Sequence, residues 1–287
     1  MRSLSLTKRG VCGVIGDPIE HSLSPLMHNA AFRAAGLDYI YLAFRVKKEA
    51  LGKAISGMRA LDFTGLNVTI PHKVNVIKYL DSLDPIAGMI GAVNTIVNRD
   101  GVLAGYNTDA TGFLEGLTRR GIEPKGKRIT LLGAGGAARA IAFILAREGA
   151  RLAILNRTPA KARSLVRRIK EQLSRDVATD SLSDENLKAA LAQTDILVNT
   201  TSVGMTPDAS RTPVPQGLIP GGLVVYDIVY NPPRTRLLRE AEARGATTIG
   251  GLDMLVFQGA KAFELFTGVE APIAVMQEAL VGALKQK

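Results

Sequence analysis

The stretch RITLLGAGGAARA, residues 128–140, limits most sharply what this chain can fold into. An apolar run of strand length meets a glycine-rich turn, and an alanine-rich helix pattern follows. Gly133, Gly135 and Ala138 have the G-x-G-x-x-G/A spacing. Small residues at those places allow a tight turn, close packing of helix on strand, and close approach of backbone amides to a pyrophosphate. The chain around this turn keeps alternating. Strands are expected at 128–132, 151–155, 177–180, 195–199, 223–229 and 247–250. Helices are expected at Ala137–Glu148, ended by Gly149, and at Pro159–Leu173, capped by Thr158. Short apolar strands alternating with helices predict a doubly wound parallel sheet of the Rossmann kind.

The first hundred residues form a separate α/β pattern. Strands are expected at 10–16, 39–46 and 64–70, and helices at Ser24–Ala35 and Glu49–Leu61. Ser24-Pro25 reads as an N-cap followed by proline at the first helical position. Residues 93–97 and 102–107 read as a hairpin around Asn98-Arg99-Asp100-Gly101. Thr108–Arg120 reads as a connecting helix. Met254–Lys287 reads as helical and is expected to return to the first unit. The division is therefore 1–109 with 250–287 as one domain, and 110–249 as a nucleotide-binding domain.

Composition excludes several classes. With 287 residues, 46% hydrophobic and 22% charged, the chain is long enough for two ordinary domains. The single cysteine, Cys12, forbids an internal disulfide and reads as a small packed hydrophobe in a reducing compartment. No apolar run of about 18 residues is present, and MRSLSLTKRG has no apolar targeting core. A cytoplasmic protein with no membrane contact is expected. The net charge of +10 is spread along the chain and tryptophan is absent, so no nucleic-acid partner is expected. His21, His28 and His72 have no ligand-like spacing, so no metal is expected.

The second strand of the nucleotide unit selects the dinucleotide. An NAD site usually carries an acid about 20 residues after the first glycine. This chain has Asn156-Arg157-Thr158, with Lys161 one turn later. Arg157 and Lys161 suit a 2′-phosphate, which points to NADP; surface cations beside a helix cap are the alternative.

Polar residues gather at the strand ends of the first unit. Ser22 and Ser24 enter a helix, where two hydroxyls and the helix end suit a carboxylate, or where Ser24 simply caps. Asn67 and Thr69 share a strand face. Asn94 opens a strand, and Asp109 starts the connecting helix, where capping is again the alternative. In NVTIPHK (67–73), Lys73 is expected in the first turn of a helix, a place that normally favours acids.

These segments together resemble the shikimate dehydrogenase family over nearly the whole chain: GDPIEHSLSP (16–25), NVTIPHK, GAVNT (91–95), GYNTDATG (105–112), GAGGAARA (133–140), NRT (156–158), NTTSVGM (199–205), YDIVYNP (226–232) and GGLDMLVFQGA (250–260). The resemblance implies reversible, NADPH-dependent reduction of 3-dehydroshikimate to shikimate. It implies that Ser22 and Ser24 hold the substrate carboxylate. Asn67, Thr69, Asn94, Asp109 and Gln258 would bind ring hydroxyls, with Tyr230 nearby. Gly133, Ala134, Gly135, Gly136 and Ala137 would take the pyrophosphate, and Asn156, Arg157, Thr158 and Lys161 the 2′-phosphate. Gly251 would lie near the nicotinamide, and so would Ile228, where some members have methionine. Lys73 and Asp109 would be the catalytic pair. A lysine can serve as acid and base if burial and a positive helix end, which favour the neutral amine, are balanced by a carboxylate. Quinate as a second substrate, NAD as a second cofactor, and a non-catalytic sensor are the rival readings. A monomer or a homodimer is compatible with the sequence.

Overall fold

The computed structural model describes residues 10–285. The N-terminal stretch read above for targeting and the last two residues of the C-terminal helical pattern lie outside the described residues. Two six-stranded sheets organise the rest. The first contains β1 (Gly10–Gly16), β2 (Tyr39–Arg45), β3 (Gly65–Val68), β4 (Ser82–Leu83), β5 (Thr95–Arg99) and β6 (Val102–Tyr106), in the order β2-β1-β3-β5-β6-β4. β1 runs parallel to β2 and β3, while β5 runs antiparallel to β3 and β6. The expected hairpin is present, with Asp100 and Gly101 both at positive φ in its tip. That twist matches the right-handed twist of the flanking strands.

The second sheet contains β7 (Arg128–Leu132), β8 (Arg151–Asn156), β9 (Ala178–Ser181), β10 (Ile196–Asn199), β11 (Val224–Asp227) and β12 (Thr247–Ile249), all parallel. Its order is β12-β11-β10-β7-β8-β9, so the winding reverses between β7 and β10. In a doubly wound sheet the carboxyl ends of the strands at that reversal form the ligand crevice. Gly133 follows β7 and Thr200 follows β10, and they meet there. Gly133 has φ +111, and a Cβ on it would lie 2.6 Å from the Thr200 hydroxyl. Both the dihedral and the contact require glycine.

The helices are α1 (Ser24–Ala34), α2 (Leu51–Ala60), α3 (Pro85–Ile90), α4 (Asp109–Thr118), α5 (Gly136–Arg147), α6 (Pro159–Leu173), α7 (Asp184–Leu191), α8 (Arg236–Glu242), α9 (Leu252–Thr267) and α10 (Ile273–Lys285). The helical C-terminal pattern forms two helices, α9 and α10. Gly268 takes φ +71 as the cap of α9, and Pro272 follows. A left-handed glycine and a proline are the usual stop for a helix. α10 packs on α1, and α9 packs on α4. α4 also packs on α5, which is buried along Ala140–Ala146. One apolar cluster thus joins Ala110, Phe113 and Leu117 of α4 to Ile129, Ile141 and Tyr226 of the second sheet unit. Phe113 stacks on Tyr226 with centroids 4.6 Å apart.

Three local expectations are corrected. The chain after β3 does not enter an α-helix at Pro71. The Lys73 carbonyl accepts from Val93 N at 2.8 Å instead of serving an i+4 amide, and only a short 3₁₀ turn forms at Asn75–Tyr79. The ring nitrogen Nε2 of His72 sits 2.6 Å from the Val46 carbonyl and pins the same turn. Neither Ser24 nor Thr158 caps its helix through its side chain. α1 starts at Ser24 itself, behind Leu23, and the Ser24 amide donates to Ser22 Oγ at 3.4 Å. Cys12 is fully buried, and burial pushes its thiol up to about 12, as suits a packed hydrophobe.

Candidate active site

The polar residues scattered through the first unit form one connected chain of hydrogen bonds. Tyr41 Oη, on β2, donates to Asn67 Oδ1 on β3 at 2.6 Å. The Ser24 side chain, at the start of α1, lies beside the Tyr41 hydroxyl. Asn67 Nδ2 donates to Thr95 Oγ1 at 2.9 Å and to the Asn94 carbonyl at 3.2 Å. Thr95 Oγ1 donates to Asn94 Oδ1 at 3.0 Å. Asn94 Nδ2 donates to Asp109 Oδ1 and to Thr108 Oγ1, both at 2.9 Å, and reaches Gln258 Oε1 of α9 at 3.4 Å. The chain ends where Lys73 Nζ donates to Asp109 Oδ2 at 2.5 Å.

Asp109 is not spent on capping. Asn107 Oδ1 accepts from the amides of Asp109 and Ala110 at 3.1 and 3.4 Å, which satisfies the start of α4. The Asp109 carboxylate is thereby left to Lys73 and Asn94. The pair is well buried, with side-chain exposures of 13% for Lys73 and 5% for Asp109. Burial on this scale makes a paired charge costly to disturb and holds it in one geometry. The positive helix end near Lys73 is that of α5, not one of its own. Gly136, the first residue of α5, lies against the lysine stem.

α5 starts without a side-chain cap, so its first-turn amides are left for an anion. Gly135 has open space where a side chain would be. Asn156 ends β8, with its Nδ2 donating to the Thr158 carbonyl at 2.8 Å. Arg157 and Lys161 beside it are exposed and have no carboxylate partner among the described residues. These residues therefore suit a pyrophosphate at α5 and a further phosphate at the end of β8.

The loop after β11 closes the site from the other side. Asp227 is fully buried and accepts from Asn199 Nδ2 at 2.9 Å, Val229 N at 3.1 Å and Thr235 Oγ1 at 2.7 Å. It holds the loop carrying Ile228 and Tyr230. Tyr230 packs into the cluster of Met27, Tyr41 and Leu255, and burial raises its hydroxyl pKa. Gly251 lies directly against the Ile228 carbonyl, too close for any side chain. Thr69, just beyond β3, is anchored through its amide to the Ile15 carbonyl at 2.9 Å. His28, by contrast, lies in the core stacked on Tyr41 at 4.3 Å, and burial lowers its pKa to about 3.

Burial pushes the Asp227 carboxyl up to about 6, against the lowering effect of its three hydrogen bonds. A carboxyl whose pKa is raised on folding contributes stability below its unfolded pKa, and that contribution is lost as pH rises through the folded value. Between pH 4 and 7 the chain is expected to lose about 3 kcal/mol through Asp227. Urea unfolding across that range checks this. Asp227→Asn should flatten the profile, and parallel profiles for the two proteins would overturn the assignment.

Tyr41, Thr95 and Asn107 are missing from the set of residues chosen by sequence. Only an asparagine two residues ahead of the helix start gives a local signal, and it is a capping signal.

Residues 14–96 match a family model described as the shikimate dehydrogenase substrate binding domain. Residues 117–209 match shikimate / quinate 5-dehydrogenase, and 251–281 the shikimate 5′-dehydrogenase C-terminal domain. A shikimate dehydrogenase (NADP(+)) of Moorella thermoacetica is 50% identical over 276 residues, covering 96% of this chain and 94% of that one. The chain belongs to the shikimate dehydrogenase family. Solved structures of the family agree in fold. A shikimate dehydrogenase in complex with NADP+ superposes with a TM-score of 0.90 at 45% identity, covering 96% of each chain. The enzyme of Thermus thermophilus in complex with NADP(H) and shikimate gives 0.86 at 41% identity, covering 96% of this chain and all of that one. Among the described residues no helix is long and apolar enough to cross a membrane.

Proposed function

We propose that this chain catalyses the reversible, NADPH-dependent reduction of 3-dehydroshikimate to shikimate, in the route to aromatic amino acids. The observation that carries the reading is the buried Lys73–Asp109 pair, which ends a polar network and lies against the phosphate-loop helix. When bound, NADPH supplies the hydride that converts the substrate ketone to an alcohol. Lys73 holds a proton at Nζ and gives it to the ketone oxygen; in oxidation it takes the hydroxyl proton back. Asp109 orients the amine and accepts a hydrogen bond from the substrate hydroxyl. Reactions of this kind gain from a positioned proton donor because no free hydroxide or hydronium is then needed.

Ser22 and Ser24 bind the substrate carboxylate. Asn67, Thr69, Asn94 and Gln258 receive the ring hydroxyls, with Tyr230 covering the ring. Asn67 and Asn94 are held by partners on both ends of their amides, so they are pre-oriented rather than recruited. Gly133–Ala137 bind the pyrophosphate, and Asn156, Arg157, Thr158 and Lys161 the 2′-phosphate. Ile228 and Gly251 line the nicotinamide end. In this reading 1–109 with 250–287 is the substrate-binding domain and 110–249 the NADP-binding domain.

Absorbance of reduced nicotinamide, followed with shikimate or quinate and with NADP or NAD, tests the assignment directly. Fast turnover is expected only for shikimate with NADP. Comparable rates with quinate or NAD would break the specificity, and binding of shikimate with no turnover in any mixture would make the protein a sensor.

A further inference from the structure

The fingerprint explains Gly133, Gly135 and Ala138, but it does not explain Gly136. That residue is the first of α5 and its φ is not in the left-handed region. Its backbone is open to any amino acid, and alanine stands on either side of the glycine pair at 134 and 137. A Cβ on Gly136 would lie 2.9 Å from Lys73 Cβ, 3.0 Å from Cδ and 3.3 Å from Cγ. No other atom is nearer.

We propose that Gly136 is a positioning residue for Lys73: the phosphate loop leaves out one methyl group so that the lysine stem can cross it and reach Asp109. This rests on the reading of Lys73 as proton donor. The root of the lysine has nowhere to retreat. Its carbonyl is bonded to Val93 N at 2.8 Å, and the neighbouring His72 ring is held by the Val46 carbonyl at 2.6 Å. A methyl group at 136 therefore presses on Cβ at the fixed root and displaces the Cγ–Cδ stem beyond it, and with the stem the amine that donates to Asp109. The added carbon points at Lys73, while the first-turn amides of α5 keep their direction along the helix axis. Proton transfer should suffer and cofactor binding should not. The loop that binds the cofactor and the side chain that moves the proton are then one mechanical unit, across two separate sheets.

A double-mutant cycle tests this. Gly136→Ala is expected to lower kcat at least tenfold in the wild-type background, with the Kd for NADP changed less than twofold. In the Lys73→Gly background, where Cβ and the whole stem it strikes are gone, the same substitution should change the residual kcat less than twofold. An equal loss in both backgrounds, a normal kcat for Gly136→Ala, or a rise in the NADP Kd that accounts for the loss would each overturn the positioning role. If Gly136→Ala does not fold alone, recovery of folding in the double variant supports the clash, and failure in both backgrounds overturns it. A near-normal kcat for Lys73→Ala alone would instead remove the proton-donor reading, and this inference with it.

Discussion

Lys73→Ala is expected to lower kcat by about 10²- to 10⁴-fold, the range a positioned acid–base group contributes, with the Kd for NADP unchanged. The geometry at Asp109 sets this expectation. Its carboxylate has two donors, Lys73 on Oδ2 and Asn94 on Oδ1, and it is fixed at the head of α4 by Asn107. Removing the lysine takes away the only cation paired with it among the described residues. A buried carboxylate left with one amide partner costs several kcal/mol, so the melting temperature should fall as well. The decisive readout is therefore kcat per molecule that binds NADP, rather than total activity. Asp109→Asn keeps the shape and removes the charge that retains the ammonium, so kcat should fall there too. A Lys73→Ala protein with near-normal kcat would place the proton elsewhere and leave Lys73 a structural residue.

The parts of this site that depend on local chemistry are readable in the sequence. Gly133 needs a left-handed turn, and the residues around it say so by their spacing. The acid missing after β8 is equally local. Asp109 and Lys73 are 36 residues apart, and only the resemblance to a known family pairs them. No periodicity rule does, because the link runs through the Lys73 turn and the head of α4. Tyr41 is the sharpest case. In YIYLAFR it looks like one more apolar strand residue. Its contact with Asn67 exists because β2 and β3 flank β1 on opposite sides, with Cys12 opposite Tyr41 and Val14 opposite Asn67. The ring reaches across one strand to a residue 26 positions away. Register of that kind is a property of the assembled sheet.

The fold shows the same division. The doubly wound order of β7–β12 follows from strand–helix alternation, and the expected strand spans agree with the observed ones to within a residue or two. α3 leaves no periodic signal, because six residues are too short for a helical period. Its marks in the sequence are Asp84 before Pro85 at its start and Gly91 at its end. The Asp84 side chain accepts from the amides of Ile86 and Ala87 at 2.9 and 3.3 Å, and so caps the helix. The helix expected at Lys73 fails for the opposite reason. Local propensity allows it, but the long-range bond from Val93 takes the carbonyl it needs.

The second large effect concerns the dinucleotide. Arg157→Ala combined with Lys161→Ala is expected to raise the Kd for NADP by about 10- to 100-fold, the scale of one or two charge-assisted hydrogen bonds to a phosphate. The Kd for NAD should change little, because NAD has a hydroxyl where NADP has the phosphate. Arg157 follows β8 directly and Lys161 sits in the first turn of α6, so both stand at the carboxyl edge of the sheet where the adenosine end must lie. Each is exposed, and neither has a carboxylate to neutralise it among the described residues. An exposed cation pair in that position gains most from the extra phosphate of NADP, for which NAD has no counterpart. The discrimination should therefore weaken as ionic strength rises, since the pair is open to solvent screening. Arg157→Ala alone should account for most of the effect, because its planar fork can hold two phosphate oxygens at once, whereas Lys161 offers a point charge. Titration with NADPH and NADH followed by reduced-nicotinamide fluorescence, at low and high salt, checks all three expectations. Equal losses for NADP and NAD would mean that the two cations shape the loop after β8 rather than read the phosphate.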